Sequence, residues 1–202
     1  MLNMPWYRWL PVLLIGLSSL LVTAADLATE VTKRLDPAPV LRGDFEQRKT
    51  VGGFKQPLLS RGDFLLWRDH GVLWQTRKPF AASLVLTRKT LLARQADGSA
   101  AYRLDSRAQP ALAAVNELLF ALLGGDIATL AKRFRIEGEL QGKEGWQLQL
   151  TPLDDGLARV FQRVRLRGDR YVRQVDLEEA NGDSSQIRFE QLRQAPRPPT
   201  PR

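Results

Sequence analysis

The chain has 202 residues, no cysteine, one histidine and 44% hydrophobic residues, with 30 Lys and Arg against 22 Asp and Glu for a net charge of +8. These values exclude disulfide scaffolds, thiolate metal sites, cysteine nucleophiles and a lipid-modified N-terminal cysteine, and they suit one well-filled domain. The positive balance attracts anions without selecting a fold or a partner.

Arg8 precedes the apolar run Trp9 to Val22, broken only by Gly16, Ser18 and Ser19, and small residues follow at Ala24 and Ala25. This run is shorter than the roughly 20 residues of a comfortable bilayer span, so residues 1–24 read as an export signal rather than an anchor or a buried helix. One exported domain is then expected over residues 25–192. Residues 195–202 read APRPPTPR, and a proline-rich segment that buries little predicts a disordered tail over residues 193–202.

Within the domain, Asp26 can cap a short helix whose Leu27, Val31 and Leu35 form one apolar stripe, stopped by Pro37 and Pro39. The period then changes to two, predicting strands at Val40–Thr50, Leu58–Trp67, Val72–Thr76, Ala82–Thr87, Leu91–Gln95 and Ala100–Leu104. Gly52-Gly53, Asp69-His70-Gly71, Lys78-Pro79 and Asp97-Gly98 supply the turns. Sequential strands joined so closely pair as antiparallel hairpins.

Pro110 opens a different segment, Ala111 to Leu123, in which only Asn116 and Glu117 are strongly polar and which Gly124-Gly125 ends. A helix this apolar touches apolar material around most of its circumference, so it is expected to cover a sheet. Asp126 can cap a further turn over Ile127–Lys132. Strand patterns resume over Phe134–Leu140, Gly145–Thr151, Arg159–Leu166, Arg170–Glu179 and Ser185–Leu192. Trp146, Leu148 and Leu150 share one face, while Val160, Val164 and Leu166 share another, interrupted at Gln162. About 10–11 strands against short helices, with no βαβ rhythm, predict a mainly β protein: an unclosed antiparallel barrel covered by short α-helices.

Chemical signals are sparse. His70, the only histidine, lies in a turn, and no transition-metal set or phosphate loop is present. Asp154, Asp155, Glu178, Glu179 and Asp183 are the carboxylates weighed for acid–base work, but they fall in turns and on solvent faces. Arg42-Gly43-Asp44, Arg61-Gly62-Asp63 and Arg167-Gly168-Asp169 read as charged turns or strand irregularities. Arg159, Arg163 and Arg165 alternate along a strand, as a solvated sheet exterior does, and export would separate them from nucleic acid. No catalytic residue, cofactor, metal or nucleic-acid partner is expected.

The apolar pattern is stronger. Phe45, Phe64, Leu66, Trp74, Leu84, Leu86, Trp146, Leu148 and Leu150, with Leu112, Val115, Leu119 and Leu122 of the central helix, can line the inner face of the curled sheet and its cover. The pattern serves a packed core as well as a lipid-sized cavity.

Several motifs bear on that choice. Phe45-Glu46-Gln47 resembles a Phe-x-Gln motif, Gly62-Asp63-Phe64-Leu65-Leu66-Trp67-Arg68 resembles a strand ending in a functional arginine, and Trp74, Pro79 and Leu84-Val85-Leu86 follow at matching spacing. Asn181 to Phe189 resembles a late hairpin of the same proteins. On these residues the chain resembles, over most of Leu27 to Leu192, the LolA family of periplasmic outer-membrane lipoprotein carriers. The resemblance implies an apolar cavity for the acyl chains of lipoproteins, receipt of cargo from an inner-membrane donor complex and delivery to an outer-membrane acceptor. It assigns Arg68 to hydrogen bonding toward the lid and control of its opening.

The chain departs from the pattern in having Asp69 where the family commonly has proline, and in its short C-terminal segment. The expected function is therefore non-enzymatic: a monomeric periplasmic carrier, acting also as a chaperone, for lipoproteins or another acylated envelope molecule during outer-membrane biogenesis. The alternative is a structural or accessory envelope protein that uses the same half-barrel without cargo.

Overall fold

In the computed structural model the described residues are 24–68, 70–87, 89–95, 100–105 and 120–196. The chain enters through helix α1 (Ala24–Arg34) and then forms β1 (Val40–Thr50), β2 (Leu58–Trp67), β3 (Gly71–Lys78), β4 (Ala82–Leu86), β5 (Thr90–Gln95) and β6 (Ala100–Asp105). A helical segment over residues 120–124, α2, precedes α3 (Ile127–Arg133). Strands β7 (Phe134–Gln141) and β8 (Gly145–Pro152), the short helix α4 (Asp155–Ala158), and β9 (Phe161–Gly168), β10 (Val172–Glu179) and β11 (Ser184–Gln194) complete it.

All eleven strands belong to one antiparallel sheet in the order β6-β5-β4-β3-β2-β1-β11-β10-β9-β8-β7. Every neighbour is also a sequence neighbour except β1 and β11, whose pairing brings the start and end of the sheet together. Among the described residues β6 and β7 are not paired to one another, so the barrel is unclosed. Helix α1 packs against β7 and α3, and the Arg34 guanidinium at its C-terminal end donates to the Gly145 carbonyl.

The inner face is a set of cross-strand rows, because side chains alternate along each strand and register aligns them between strands. Leu91, Leu86, Val72, Leu66 and Leu41 form one row. Ala93, Leu84, Trp74 and Phe64 form the next and end over Gly43. Trp146, Leu148 and Leu150 form the buried face of β8 opposite Gly168, Leu166 and Val164.

The three Arg-Gly-Asp tripeptides serve this packing. A Cβ on Gly62 would lie 1.8 Å from the Gln75 carbonyl oxygen and 2.8 Å from the Phe45 ring. One on Gly43 would lie 3.2 Å from the Phe64 ring, and one on Gly168 would lie 2.4 Å from the Trp146 indole. Each glycine thus leaves room for a cross-strand aromatic ring, and the Trp146 Nε1–H donates to the Asp169 carbonyl at 2.7 Å. Aromatics take such positions because their buried area is large.

Several boundaries shift from the sequence reading. Asp26 lies within α1 rather than before it. Helix α4 was not expected; the Asp154 carboxylate accepts from the Leu157 N–H and begins it. Strand β9 consequently starts at Phe161, and buried Phe161 replaces Val160 as the residue in phase with Val164 across an irregularity opposite Glu178 and Glu179. Strand β11 runs to Gln194, two residues past the expected domain end, and the Ala195 N–H donates to the Val40 carbonyl at 3.0 Å. Asp69 and most of the predicted central helix, 111–119, lie outside the described residues.

Candidate functional site: an apolar cavity under a helix end

A cavity of about 290 Å³ lies between the inner face of the sheet and α2. Strands β3 and β4 supply Val72, Trp74, Leu84 and Leu86, α2 supplies Leu122 and Leu123, and β9 to β11 supply Phe161, Val175, Leu177, Ile187 and Phe189. Only Gln47, Lys49, Glu179 and Ser185 interrupt this apolar wall. Strand register places these four toward the β1–β2 turn, since Lys49 pairs Ser185 on one side and Leu58 on the other. There the Lys49 ammonium meets the Glu179 carboxylate at 2.8 Å.

Trp74, Leu84, Leu86 and Leu122 are brought together on this wall. Phe45 stands behind it, stacked on Trp74, and Phe64 packs edge-on against Phe189. Leu66, Trp146, Leu148 and Leu150 are buried in the packed core and do not border the cavity. Leu112, Val115 and Leu119 lie outside the described residues. The expectation passed over the C-terminal strands, although Ser185, Ile187 and Phe189 alternate openly; Val175 and Leu177 are harder to read because an irregularity at Val172/Gln174 changes the phase of β10.

Arg68 follows β2 at the opposite end of the cavity. Its Nε–H donates to the Ala38 carbonyl at a long 3.4 Å, its backbone N–H donates to the Pro39 carbonyl at 3.0 Å, and a Cβ on Gly124 would lie 3.2 Å from its Nη1. The guanidinium therefore rests against the C-terminal end of α2. That end closes as a Schellman motif: Gly125, at φ +64°, donates to Leu122, and the Asp126 N–H returns to the Ala121 carbonyl at 2.8 Å. A cation at this terminus complements the helix dipole. The Asp126 side chain also accepts from the Thr129 N–H at 3.0 Å and begins α3.

The polar groups outside the cavity hold the structure together. Asp36, in the α1–β1 link, accepts from Arg170 at 2.6 Å, Tyr171 at 3.2 Å and Gln194 at 3.1 Å. The Arg170 hydrogen bond, outweighing burial, holds the Asp36 carboxyl below its ordinary pKa. Asp154 is likewise lowered, first by the Leu157 N–H and then by Arg133. For Asp169, burial pushes upward but Arg173 and the Tyr171 N–H prevail. Glu178 binds Arg163 and Arg165, Asp183 accepts from the Gly52 N–H, and Glu179 binds Lys49, so these carboxylates have structural partners. Exposed His70 stacks on Trp67.

Among the described residues no three His, Asp or Glu side chains form a metal-binding group, and no helix is long and apolar enough to cross a membrane.

Solved structures similar to the chain include three from different bacteria. A LolA superfamily protein from Nitrosomonas europaea is 14% identical with a TM-score of 0.48, covering 88% of this chain and 96% of that one. A DUF1329 family protein from Desulfovibrio piger is 13% identical with a TM-score of 0.48, covering 85% and 91%. The MucA/MucB complex structure from Pseudomonas aeruginosa gives 17% identity and a TM-score of 0.47, covering 86% of this chain and 59% of that one. No curated protein sequence matches the chain. The sequence pattern of the family described as outer membrane lipoprotein carrier protein LolA matches residues 37–200. With most of its length matched, the chain belongs to the LolA family.

Proposed function

We propose that the protein shelters the acyl chains of lipoproteins, or of another acylated envelope molecule, and carries them through the periplasm toward the outer membrane. The observation that carries this reading is the cavity of about 290 Å³, eleven of whose fifteen lining residues are apolar. Its volume is close to the roughly 300 Å³ at which small-molecule pockets begin. Each methylene moved from water into such a wall contributes about 0.8 kcal/mol. Family membership supports a carrier-type binding role without enzymatic chemistry.

A carrier must also release its cargo. Opening the cover exposes apolar surface, so the open form is costly unless a partner or cargo stabilises it. The Arg68 guanidinium against Gly124 makes it the candidate gate, with an inner-membrane donor complex and an outer-membrane acceptor as the partners that bias it. An export signal over residues 1–24 would deliver the chain there.

Displacement of a fluorescent fatty acid tests the reading. The wild-type protein is expected to bind the probe saturably and reversibly. Leu84 is half-buried on the cavity wall, so Leu84→Arg is expected to weaken binding at least tenfold while the far-ultraviolet circular dichroism stays unchanged. Unaltered affinity in a folded variant would contradict it.

A further inference from the structure

The end of the sheet that carries the polar rim of the cavity also exposes large apolar side chains. Phe54, in the β1–β2 turn, is 63% exposed, and Phe80, in the β3–β4 turn, is 82% exposed. Leu58 and Leu59, at the start of β2, are also exposed. In a sequential antiparallel meander the β1–β2 and β3–β4 turns fall on the same end of the sheet. The β2–β3 pairing stops at Arg61 and Lys78, whereas β1 and β2 remain paired to Lys49 and Leu58. The first hairpin therefore projects three residues further, about 10 Å.

The charged residues within these two turns and directly before them are basic. Residues 47–62 and 75–83, which form the two tips and the strand ends next to them, contain six Lys and Arg and no Asp or Glu; of these, Lys49, Arg61 and Arg77 pair with Glu179, Glu46 and Asp63. Lys55 stands beside Phe54, Lys78 precedes Pro79 and Phe80, and both lysines are exposed. Arg94 faces Ser83 at the same end. The acidic groups nearby are engaged: Glu179 with Lys49, and Asp183 with the Gly52 N–H.

We propose that this end docks on an anionic phospholipid surface, with Phe54, Leu58, Leu59 and Phe80 entering the boundary between headgroups and acyl chains while Lys55 and Lys78 meet the phosphates. Separate apolar points interleaved with cations suit that boundary, where aromatic and aliphatic side chains bury shallowly and each basic residue adds attraction to anionic lipid. Docking by this end places the Lys49–Glu179 rim of the cavity on the membrane side. The proposal stands apart from the cargo reading, since the tips and their charge are the same whatever the cavity holds.

Co-sedimentation of the purified protein with vesicles tests it, comparing an equimolar mixture of phosphatidylglycerol and phosphatidylcholine with phosphatidylcholine alone. Binding is expected only to the anionic vesicles and is expected to fall as salt rises. The Lys55→Gln/Lys78→Gln variant is expected to lose about 25-fold in partitioning, roughly fivefold for each cation. The Phe54→Ser/Phe80→Ser variant is expected to lose at least about tenfold. None of these residues lines the cavity, so acyl-probe affinity and circular dichroism serve as controls and are expected to hold. Equal partitioning into both vesicle types, no partitioning, or variants that partition as wild type overturn the proposal. Tips that engage a protein and leave vesicles unbound overturn it as well.

Discussion

Trp74 lies face to face with Phe45, ring centroids 3.8 Å apart and planes inclined by 30°. The indole belongs to the cavity wall while the phenyl ring behind it is buried, so one contact joins the site to the core. Such pairs add about 0.5–1.5 kcal/mol beyond their area. Phe45→Ala is expected to lower the free energy of unfolding by about 3–5 kcal/mol, measured by urea denaturation. A loss below about 1 kcal/mol would show that Phe45 is not part of the packed core.

Gly62 is fixed by space rather than by backbone conformation. A Cβ there would strike the Gln75 carbonyl and the Phe45 ring, whereas one on Gly52 would meet only the Asp183 carboxylate at 3.8 Å. Gly62→Ala is therefore expected to cost about 2 kcal/mol or more, and Gly52→Ala less than about 0.5 kcal/mol. Equal thermal denaturation midpoints for the two variants would refute the aromatic-over-glycine account of the tripeptide.

Arg68 touches both the entry to β1, through Ala38 and Pro39, and the end of α2 at Gly124. Arg68→Leu keeps an apolar side chain out to Cδ but removes the guanidinium, with its donors, its reach to Gly124 and its charge at the helix terminus. Amide hydrogen exchange is expected to accelerate in residues 120–124 and acyl-probe release to change, while β8–β9 protection remains as in wild type. Identical exchange and release would remove Arg68 from the gate.

The Asp36 cluster ties the α1–β1 link to the β9–β10 turn and to β11. Because Arg170 lowers the Asp36 pKa in the folded state, its contribution is complete above the ordinary value of 3.8 and is lost as pH falls through the lower folded value. Asp36→Asn is expected to be less stable than wild type at neutral pH, with the gap narrowing below pH 3.8. A gap that stays constant down to strongly acidic pH would contradict this linkage.

The fold was legible because it is made of local hairpins. Val40–Thr50 and Leu58–Trp67 alternate cleanly enough to give β1 and β2 their limits, and Gly52-Gly53 marks the turn between them. What alternation does not show is where a strand changes phase. The irregularity opposite Glu178 and Glu179 moved Phe161 into the position expected for Val160. Nor does a one-strand pattern show that Gly62 and Gly168 lie under rings of neighbouring strands, because that depends on register.

The site was legible in part for the same reason. Leu84 and Leu86 alternate in one short strand and both reach the cavity, but Trp146, Leu148 and Leu150 alternate equally well and are packed away from it. Binary pattern separates inside from outside; it does not separate a wall from a core. The polar rim residues Lys49 and Glu179 are brought together only by the pairing of β1 with β11 and of β11 with β10, across a long stretch of sequence.

The central claim is that the cavity shelters a hydrocarbon chain, and mass spectrometry of the organic extract from natively produced protein tests it most directly. Acylated molecules recovered in proportion to the protein, and depleted from Leu84→Arg, are the predicted result. An extract free of acyl species, from a protein that also fails to bind an acyl probe, would contradict the account.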